Sequence, residues 1–166
     1  MNQTALFENL LIRQMEVRDL SSVLQIEETS FDNPWRKEHF LINLKVRTDA
    51  RSWVASLNQK IVGFIIAWYI SASADEEGES HIHNIAVSPE YRRHGIGRSL
   101  LLKAVQKGTQ LDCSVTVLEV RESNYEARSF YRDLGFYETG IRPNYYQNED
   151  AVVMEAKSSE ILKIQA

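Results

Sequence analysis

The stretch from Ile85 to Leu101 restricts the fold of this chain more than any other. An apolar strand ends at Pro89, and a basic loop with two glycines leads directly into an amphipathic helix. Gly95 and Gly97 have no Cβ, so the backbone can turn tightly there and approach an anion. The first N–H groups of the helix have no intrahelical acceptor, and the helix dipole adds partial positive charge. This strand, loop and helix therefore have the layout of a pyrophosphate site in an α/β protein.

Two common phosphate-binding motifs do not match the loop. A dinucleotide fingerprint needs a third glycine where this chain has Leu100, and a P-loop needs a lysine where it has Arg98. What remains is Arg-x-x-Gly-x-Gly from Arg92 to Gly97, which resembles the acetyl-coenzyme A signature of the GNAT superfamily of N-acetyltransferases. Taken alone, the hexapeptide is equally compatible with an ordinary strand-to-helix turn that carries solvated arginines.

Length and composition indicate one globular domain. The 166 residues can bury a core without disulfides, and 43% hydrophobic and 25% charged residues are ordinary values. No apolar run reaches the ~20 residues that cross a bilayer, and the first residues do not resemble a secretory signal. We therefore expect a single domain over residues 1–166, located in the cytoplasm without membrane association, with a flexible tail over residues 157–166.

Charge and cysteine content narrow the class of partner. The net charge of −4 argues against direct nucleic-acid binding, which normally requires a basic surplus, and suits a basic peptide better. The acidic run Asp75–Glu79 would attract such a peptide, although a solvated loop is the simpler interpretation.

The lone Cys113 agrees with a reducing compartment and is interpreted as a core residue. His81 and His83 share a strand face without further ligands, so we predict no metal site.

The periodicity predicts alternating strands and helices. Strands are predicted at Leu10–Met15, Trp53–Ser56, Ile61–Tyr69, His81–Val87, Val115–Arg121, Phe136–Ile141 and Ala151–Glu155. Helices are predicted after a cap at Asp19, from Asn33–Pro34, from Gly97 to about Gly108, and after a Ser123–Glu126 capping box. The chain is therefore predicted to have a mixed α/β fold.

Further motifs extend the resemblance. Val117–Asn124, Phe130–Phe136, Arg142–Tyr146 and the segment Phe31–Trp35 are similar to the bacterial ribosomal-protein-alanine N-acetyltransferases, over roughly residues 10–154. Archaeal and eukaryotic N-terminal acetyltransferases share much of this pattern. The resemblance implies a GNAT acyltransferase fold, with a mixed, mostly antiparallel central sheet flanked by helices. It also implies direct acetyl transfer from acetyl-CoA to the N-terminal alanine of a small-subunit ribosomal protein.

The resemblance assigns two catalytic side chains. It makes Glu119 the base that takes a proton from the attacking amine, and strand alternation predicts an apolar setting that would raise the pKa of this carboxyl. It makes Tyr131 the general acid for the coenzyme A sulfur, which a phenol with a pKa of about 10 can protonate. The alternatives are a surface pair of Glu119 with Arg121 and a core position for Tyr131.

The resemblance also assigns the binding residues. It places the acetyl and pantetheine groups on the backbone of Ile85, Ala86 and Val87, and the pantetheine arm or thioester also on Asn124. The pyrophosphate would lie on Arg93, His94, Gly95, Ile96, Gly97 and Arg98. Four aromatic residues would contact the peptide N-terminus unless they anchor the core, namely Phe31, Trp35, Tyr145 and Tyr146.

An α-amine suits a modest base such as Glu119. Its pKa of about 7.7 to 8.0 lies far below the value of about 10.4 for lysine. Two other functions stay open, an acetyltransferase with broader protein N-terminal or small-molecule amine specificity, and a non-catalytic sensor module that binds coenzyme A. The presence of both Glu119 and Tyr131 argues against the sensor.

Overall fold

The computed structural model describes residues 9–164, which form a seven-stranded sheet flanked by helices. The strands are β1 (Leu10–Gln14), β2 (Ala50–Leu57), β3 (Lys60–Ile70), β4 (Gly78–Val87), β5 (Cys113–Arg121), β6 (Tyr137–Arg142) and β7 (Ala151–Lys157). The α-helices are α1 (Leu20–Ser30), α2 (Lys37–Lys45), α3 (Ile96–Thr109), α4 (Tyr125–Asp133) and α5 (Ser158–Lys163). None of the helices in residues 9–164 is long and apolar enough to cross a bilayer.

The strands are hydrogen-bonded in the order β1-β2-β3-β4-β5-β7-β6. β1 with β2, β5 with β7 and β6 with β7 are antiparallel, whereas β4 and β5 are parallel. A parallel pair needs a long crossover connection, and the segment that contains α3 supplies it. The predicted mixed, mostly antiparallel central sheet flanked by helices is confirmed.

The described chain forms two compact units. The first contains the described residues up to Ala67 together with Asn84–Ala104, and the second contains Trp68–His83 and the residues from Val105 onward. In the first unit, the fully buried Phe40 and Phe64 pack edge to face with ring centroids 5.6 Å apart. The fully buried core side chains of the second unit include Leu118, Met154 and Ile161. The single domain over residues 1–166 stays a prediction.

The structure corrects the predicted flexible tail. Lys157 ends β7, and α5 follows at once, with Ser158 and Ile161 fully buried. The Ser158 hydroxyl lies 3.1 Å from the Thr116 hydroxyl on β5, so a buried hydrogen bond also ties this helix to the sheet. A six-residue helix is too short for a clear hydrophobic period, which explains why the pattern does not predict it. Residues 165 and 166 lie outside the described residues.

The predicted helix start at Asn33–Pro34 is wrong, because α2 begins at Lys37. The Glu27 carboxylate accepts the Trp35 backbone N–H at 2.8 Å, which holds the preceding segment in a non-helical conformation. Its other oxygen accepts the side-chain amide of Asn84 at 3.0 Å. Burial raises the pKa of Glu27, which is only 1% exposed. A buried carboxylate therefore determines where this helix begins.

Candidate active site

The glycine loop of the first unit has a backbone suited to an anion. Arg93 and Gly95 lie in the left-handed region, with φ of 65° and 79°. A Cβ added to Gly95 would meet nothing within 4 Å, so there is open space beside the loop. The Ser99 N–H donates to Gly95 C=O at 3.0 Å. The N–H groups of Ile96 and Gly97 lie before this bond, in the first turn of the helix, where an N–H group has no acceptor within the helix. These N–H groups and the α3 dipole fit a pyrophosphate.

Arg92 holds the loop in place. Its Nε donates to Val87 C=O at 2.9 Å, and its Nη2 donates to Ser30 Oγ at 3.3 Å. The interpretation of Arg92 as a purely solvated charge is therefore wrong. In the same loop, His94 is exposed, with Nδ1 3.4 Å from Tyr91 C=O. Its predicted contact with the pyrophosphate stays a prediction.

The three β4 residues predicted to bind pantetheine do not all point their backbone groups to the same edge of the strand. Ser88 N–H donates to Val62 C=O on β3 at 2.8 Å, and the Ala86 carbonyl oxygen lies close to Gly63 on the same strand. Polar groups of successive residues in a strand point to opposite edges. The N–H groups of Ile85 and Val87 therefore point away from β3, while the Ala86 backbone points toward it. This orientation favours Ile85 and Val87 as the donors.

The Glu119 carboxylate lies at the centre of a charged cluster in the second unit. Its side chain is 3% exposed, with Oε2 2.6 Å from His81 Nε2. Oε1 accepts no hydrogen bond and lies 3.2 Å from Arg142 Nη2 in an ion pair. Burial raises the pKa of Glu119, but the His81 hydrogen bond and the charges of His81, Arg142 and His83 outweigh it. The pKa therefore lies below its ordinary value, and the predicted apolar setting and raised pKa are wrong.

The sequence alone does not predict that His81 and Arg142 lie next to Glu119. The alternation of His81 with His83 is visible in the sequence, but only the parallel pairing of β4 with β5 places His81 opposite Val117, near Glu119. Arg142 is the last residue of β6, which pairs with β7 and not with β5. Within residues 9–164, no three His, Cys, Asp or Glu side chains form a metal-binding group.

Two tyrosines of the loop between β6 and β7 adjoin the cluster. The Tyr146 hydroxyl donates to Glu119 C=O at 3.1 Å, and the Arg121 guanidinium lies 4.4 Å from its ring centroid. Tyr145 is 45% exposed and packs edge to face on Tyr146 at 5.0 Å. Burial and then the neighbouring Glu119 charge raise the pKa of Tyr145, and burial also raises the pKa of Tyr146. Both phenols therefore stay protonated at neutral pH.

Tyr131 lies on α4 in an aromatic environment. Its ring is buried against Phe130 at 5.2 Å and Phe136 at 5.6 Å, measured between ring centroids. Burial raises its pKa, and Tyr131 is near enough to Tyr146 to raise the pKa of that phenol as well. Tyr131 therefore combines a core position with proximity to the Glu119 cluster, and its role as general acid stays a prediction.

Asn124 caps α4. Its Oδ1 accepts the Ala127 backbone N–H at 3.1 Å, so the predicted capping box of Ser123 and Glu126 is wrong. The Ser123 backbone N–H instead donates to the Glu149 carboxylate at 2.6 Å. The cap uses only Oδ1, so the side-chain amide nitrogen of Asn124 is not part of it. The contact of Asn124 with pantetheine stays a prediction.

The four aromatic residues predicted to contact the peptide divide between the two units. Phe31, 36% exposed, and Trp35 belong to the first unit, and Tyr145 and Tyr146 belong to the second. Trp35 packs on Phe40 with ring centroids 5.6 Å apart, which gives it an anchoring role as well. Their shared contact with a peptide stays a prediction.

Known proteins with similar sequences and folds identify the family. The profile of the Acetyltransferase (GNAT) family matches residues 20–136. A putative ribosomal protein bS18-alanine N-acetyltransferase of Bacillus subtilis is 34% identical over 145 residues, covering 86% of this chain and 92% of that protein. The Escherichia coli ribosomal protein bS18-alanine N-acetyltransferase is 33% identical over 147 residues, with 86% and 94% coverage. The crystal structure of the ribosomal-protein-S18-alanine N-acetyltransferase from Escherichia coli matches with a TM-score of 0.76 at 32% identity, covering 89% of this chain and 93% of that one. The chain therefore belongs to the GNAT acetyltransferase family, and it is similar to the bacterial ribosomal-protein-alanine N-acetyltransferases.

Proposed function

We propose that this enzyme transfers acetyl from acetyl-CoA to the N-terminal α-amine of a ribosomal protein that begins with alanine. The observation that carries the proposal is the buried Glu119 carboxylate, with one oxygen 2.6 Å from His81 and the other accepting no hydrogen bond. Its relatives from Bacillus subtilis and Escherichia coli bear the name of that reaction. A cytoplasmic location and the lack of direct nucleic-acid or membrane binding stay predictions.

The residues of the first unit fit acetyl-CoA, which supplies an acetyl group activated as a thioester. The N–H groups of Ile96 and Gly97 and the open space beside Gly95 suit the pyrophosphate. Arg93, His94 and Arg98 add side chains of the right charge and polarity along the same loop. Ile85 and Val87, whose N–H groups point away from β3, would donate to the pantetheine and acetyl groups.

Glu119 accepts the proton that the amine loses. The amine nitrogen bonds to the acetyl carbon, the carbon–sulfur bond breaks, and Tyr131 donates a proton to the departing sulfur. A carboxylate with a lowered pKa is a weak acceptor for an ammonium proton, because the α-ammonium pKa is about 7.7 to 8.0. Once the nitrogen has bonded to the carbonyl carbon, its N–H is far more acidic, and a weak base suffices. His81 holds the carboxylate in place through Oε2.

Peptides that differ only in their first residue test the proposed substrate. We expect the alanine peptide to exceed a phenylalanine peptide in kcat/KM by at least about tenfold, the scale of discrimination by a small pocket. The same peptide with a pre-acetylated N-terminus is the control and should incorporate no further acetyl. Equal kcat/KM for both first residues, or a higher kcat/KM for free polyamines, would contradict an alanine-specific enzyme and favour the broader acetyltransferase.

Replacing Gly95 by valine tests the acetyl-CoA site. A β-branched residue at φ of 79° is strained, and its side chain would occupy the open space beside the loop. We expect the affinity for acetyl-CoA, measured by calorimetry, to fall by about tenfold or more, about 1.4 kcal/mol of binding free energy, because the valine side chain fills the space proposed for the pyrophosphate and the strained loop displaces its N–H donors.

Gly140→Val is the matched control, because Gly140 also has open space around its Cβ position but does not have a positive φ. This variant should bind acetyl-CoA as the unmodified protein does. Unchanged affinity in a folded Gly95→Val protein would show that the pyrophosphate does not lie on this loop.

A further inference from the structure

Arg142 is the most exposed of the charged side chains that contact Glu119. It is 53% exposed, compared with 13% for His81 and 3% for Glu119 itself. Its Nη2 lies 3.2 Å from Glu119 Oε1, and its guanidinium lies 5.9 Å from the Tyr145 ring centroid. Oε1 is the carboxylate oxygen that accepts no hydrogen bond. Arg142 therefore lies at the oxygen that would receive a proton from a substrate.

The other groups around Glu119 do not offset this positive charge. β4 contributes His81 and His83, and Glu79 Oε1 lies 3.5 Å from His81 Nδ1, on the side of that ring away from Glu119. β7 places the apolar Val153 opposite Glu119. Tyr145 and Tyr146 from the loop and Tyr131 from α4 also adjoin the cluster. Arg121 pairs with Glu149, and Glu155, on the same face of β7 as Val153, accepts the Tyr137 hydroxyl at 2.8 Å. An ammonium group that approached Oε1 would meet a guanidinium already paired with it.

We propose that Arg142 is a specificity-determining residue that repels protonated amines from Glu119, so that the enzyme uses α-amines and rejects lysine side chains. The inference rests on the proposed transfer to an amine. At pH 7.5 the neutral fraction of an α-amine exceeds that of a lysine by about two orders of magnitude, given pKa values of about 7.7 to 8.0 and 10.4. A guanidinium keeps its charge over the whole range of an enzyme assay. Because the repulsion acts on protonated amines and not on neutral ones, the lower pKa of an α-amine makes it the preferred substrate.

The test compares two peptides over pH 6.5 to 9. One has a free N-terminal alanine and no lysine, and the other has a blocked N-terminus and one lysine. For the unmodified enzyme, kcat/KM on the alanine peptide should rise about tenfold per pH unit below the α-amine pKa and then level off. In Arg142→Gln, this rise should flatten, and the preference for the alanine peptide over the lysine peptide should fall by at least about tenfold.

Two further variants separate charge from structure. Arg142→Lys keeps the positive charge and should retain the preference and the pH profile of the unmodified enzyme. Arg132→Gln is the matched control, because Arg132 is 51% exposed and pairs with Glu138 at 2.6 Å, on the same unit but away from Glu119. It should behave as the unmodified enzyme does, and melting temperatures establish that each variant is folded.

The inference is overturned if folded Arg142→Gln keeps both the preference and the pH profile, or if Arg142→Lys loses them as Arg142→Gln does. In those cases the unmodified enzyme still acetylates the alanine peptide, so the proposed function survives. If the unmodified enzyme acetylates neither peptide, the proposed function fails, and the inference about Arg142 fails with it.

Discussion

Replacing Glu119 by glutamine is expected to lower kcat by about 10²-fold or more, the scale of a lost general base, without a change in acetyl-CoA affinity. The amide keeps the size of the carboxylate and a polar contact with His81, but it does not accept the proton that the amine loses. Turnover is measured by release of the coenzyme A thiol, and affinity is measured by calorimetry. Because the substitution changes the structure so little, a loss of turnover can be attributed to the missing proton acceptor.

Glu138→Gln is the control for this variant. Glu138 is a carboxylate of the same unit whose pKa is also lowered, by hydrogen bonds from Arg128 and Arg132, but it does not contact the Glu119 cluster. It should keep full turnover. A Glu119→Gln enzyme with full turnover across the pH range would remove Glu119 from the mechanism.

Replacing Tyr131 by phenylalanine is expected to lower kcat by about 10²-fold, with the larger loss at high pH. The variant removes only the hydroxyl from a ring that packs between Phe130 and Phe136, so the core should stay intact. Burial raises the pKa of Tyr131, which keeps the proton on the phenol at any working pH. Without that donor the sulfur takes its proton from solvent, and this supply decreases as the pH rises.

Tyr125→Phe is the control on the same helix, because Tyr125 is 71% exposed and carries no proposed role. It should match the unmodified enzyme in kcat and in melting temperature. An equal fold-loss of kcat in Tyr131→Phe at pH 6.5 and at pH 9, each measured against the unmodified enzyme, or a loss that follows a lower melting temperature, would indicate a packing role for Tyr131 alone.

The sequence predicts the order of the elements well, because each long strand and helix carries its own hydrophobic period. β3, β5 and α3 lie within one or two residues of their predicted bounds. The errors occur where a contact distant in sequence decides the local structure. The Glu27 carboxylate delays α2 by binding the Trp35 N–H, and Glu149 takes the Ser123 N–H, so that Asn124 becomes the cap of α4.

The candidate site follows the same division. The glycine loop is local, and its left-handed Gly95 is the conformation that the sequence motif indicates. The residues around Glu119 are distant from it in sequence or on other strands. His81 is 38 residues away, and Arg142 belongs to β6, which is not adjacent to β5 in the sheet. Alternation along one strand predicts which side Glu119 faces, but it contains no information about the charges on the neighbouring strands. The direction of the pKa shift predicted from the sequence is therefore wrong.

One peptide tests the central claim, that this enzyme acetylates an α-amine, most directly. The peptide begins with alanine, carries one internal lysine and is incubated with acetyl-CoA until about half of it has reacted. Tandem mass spectrometry then locates the acetyl group. The account predicts acetyl on the N-terminal amine with the lysine unmodified, whereas acetyl on the lysine in equal or greater amount would contradict it.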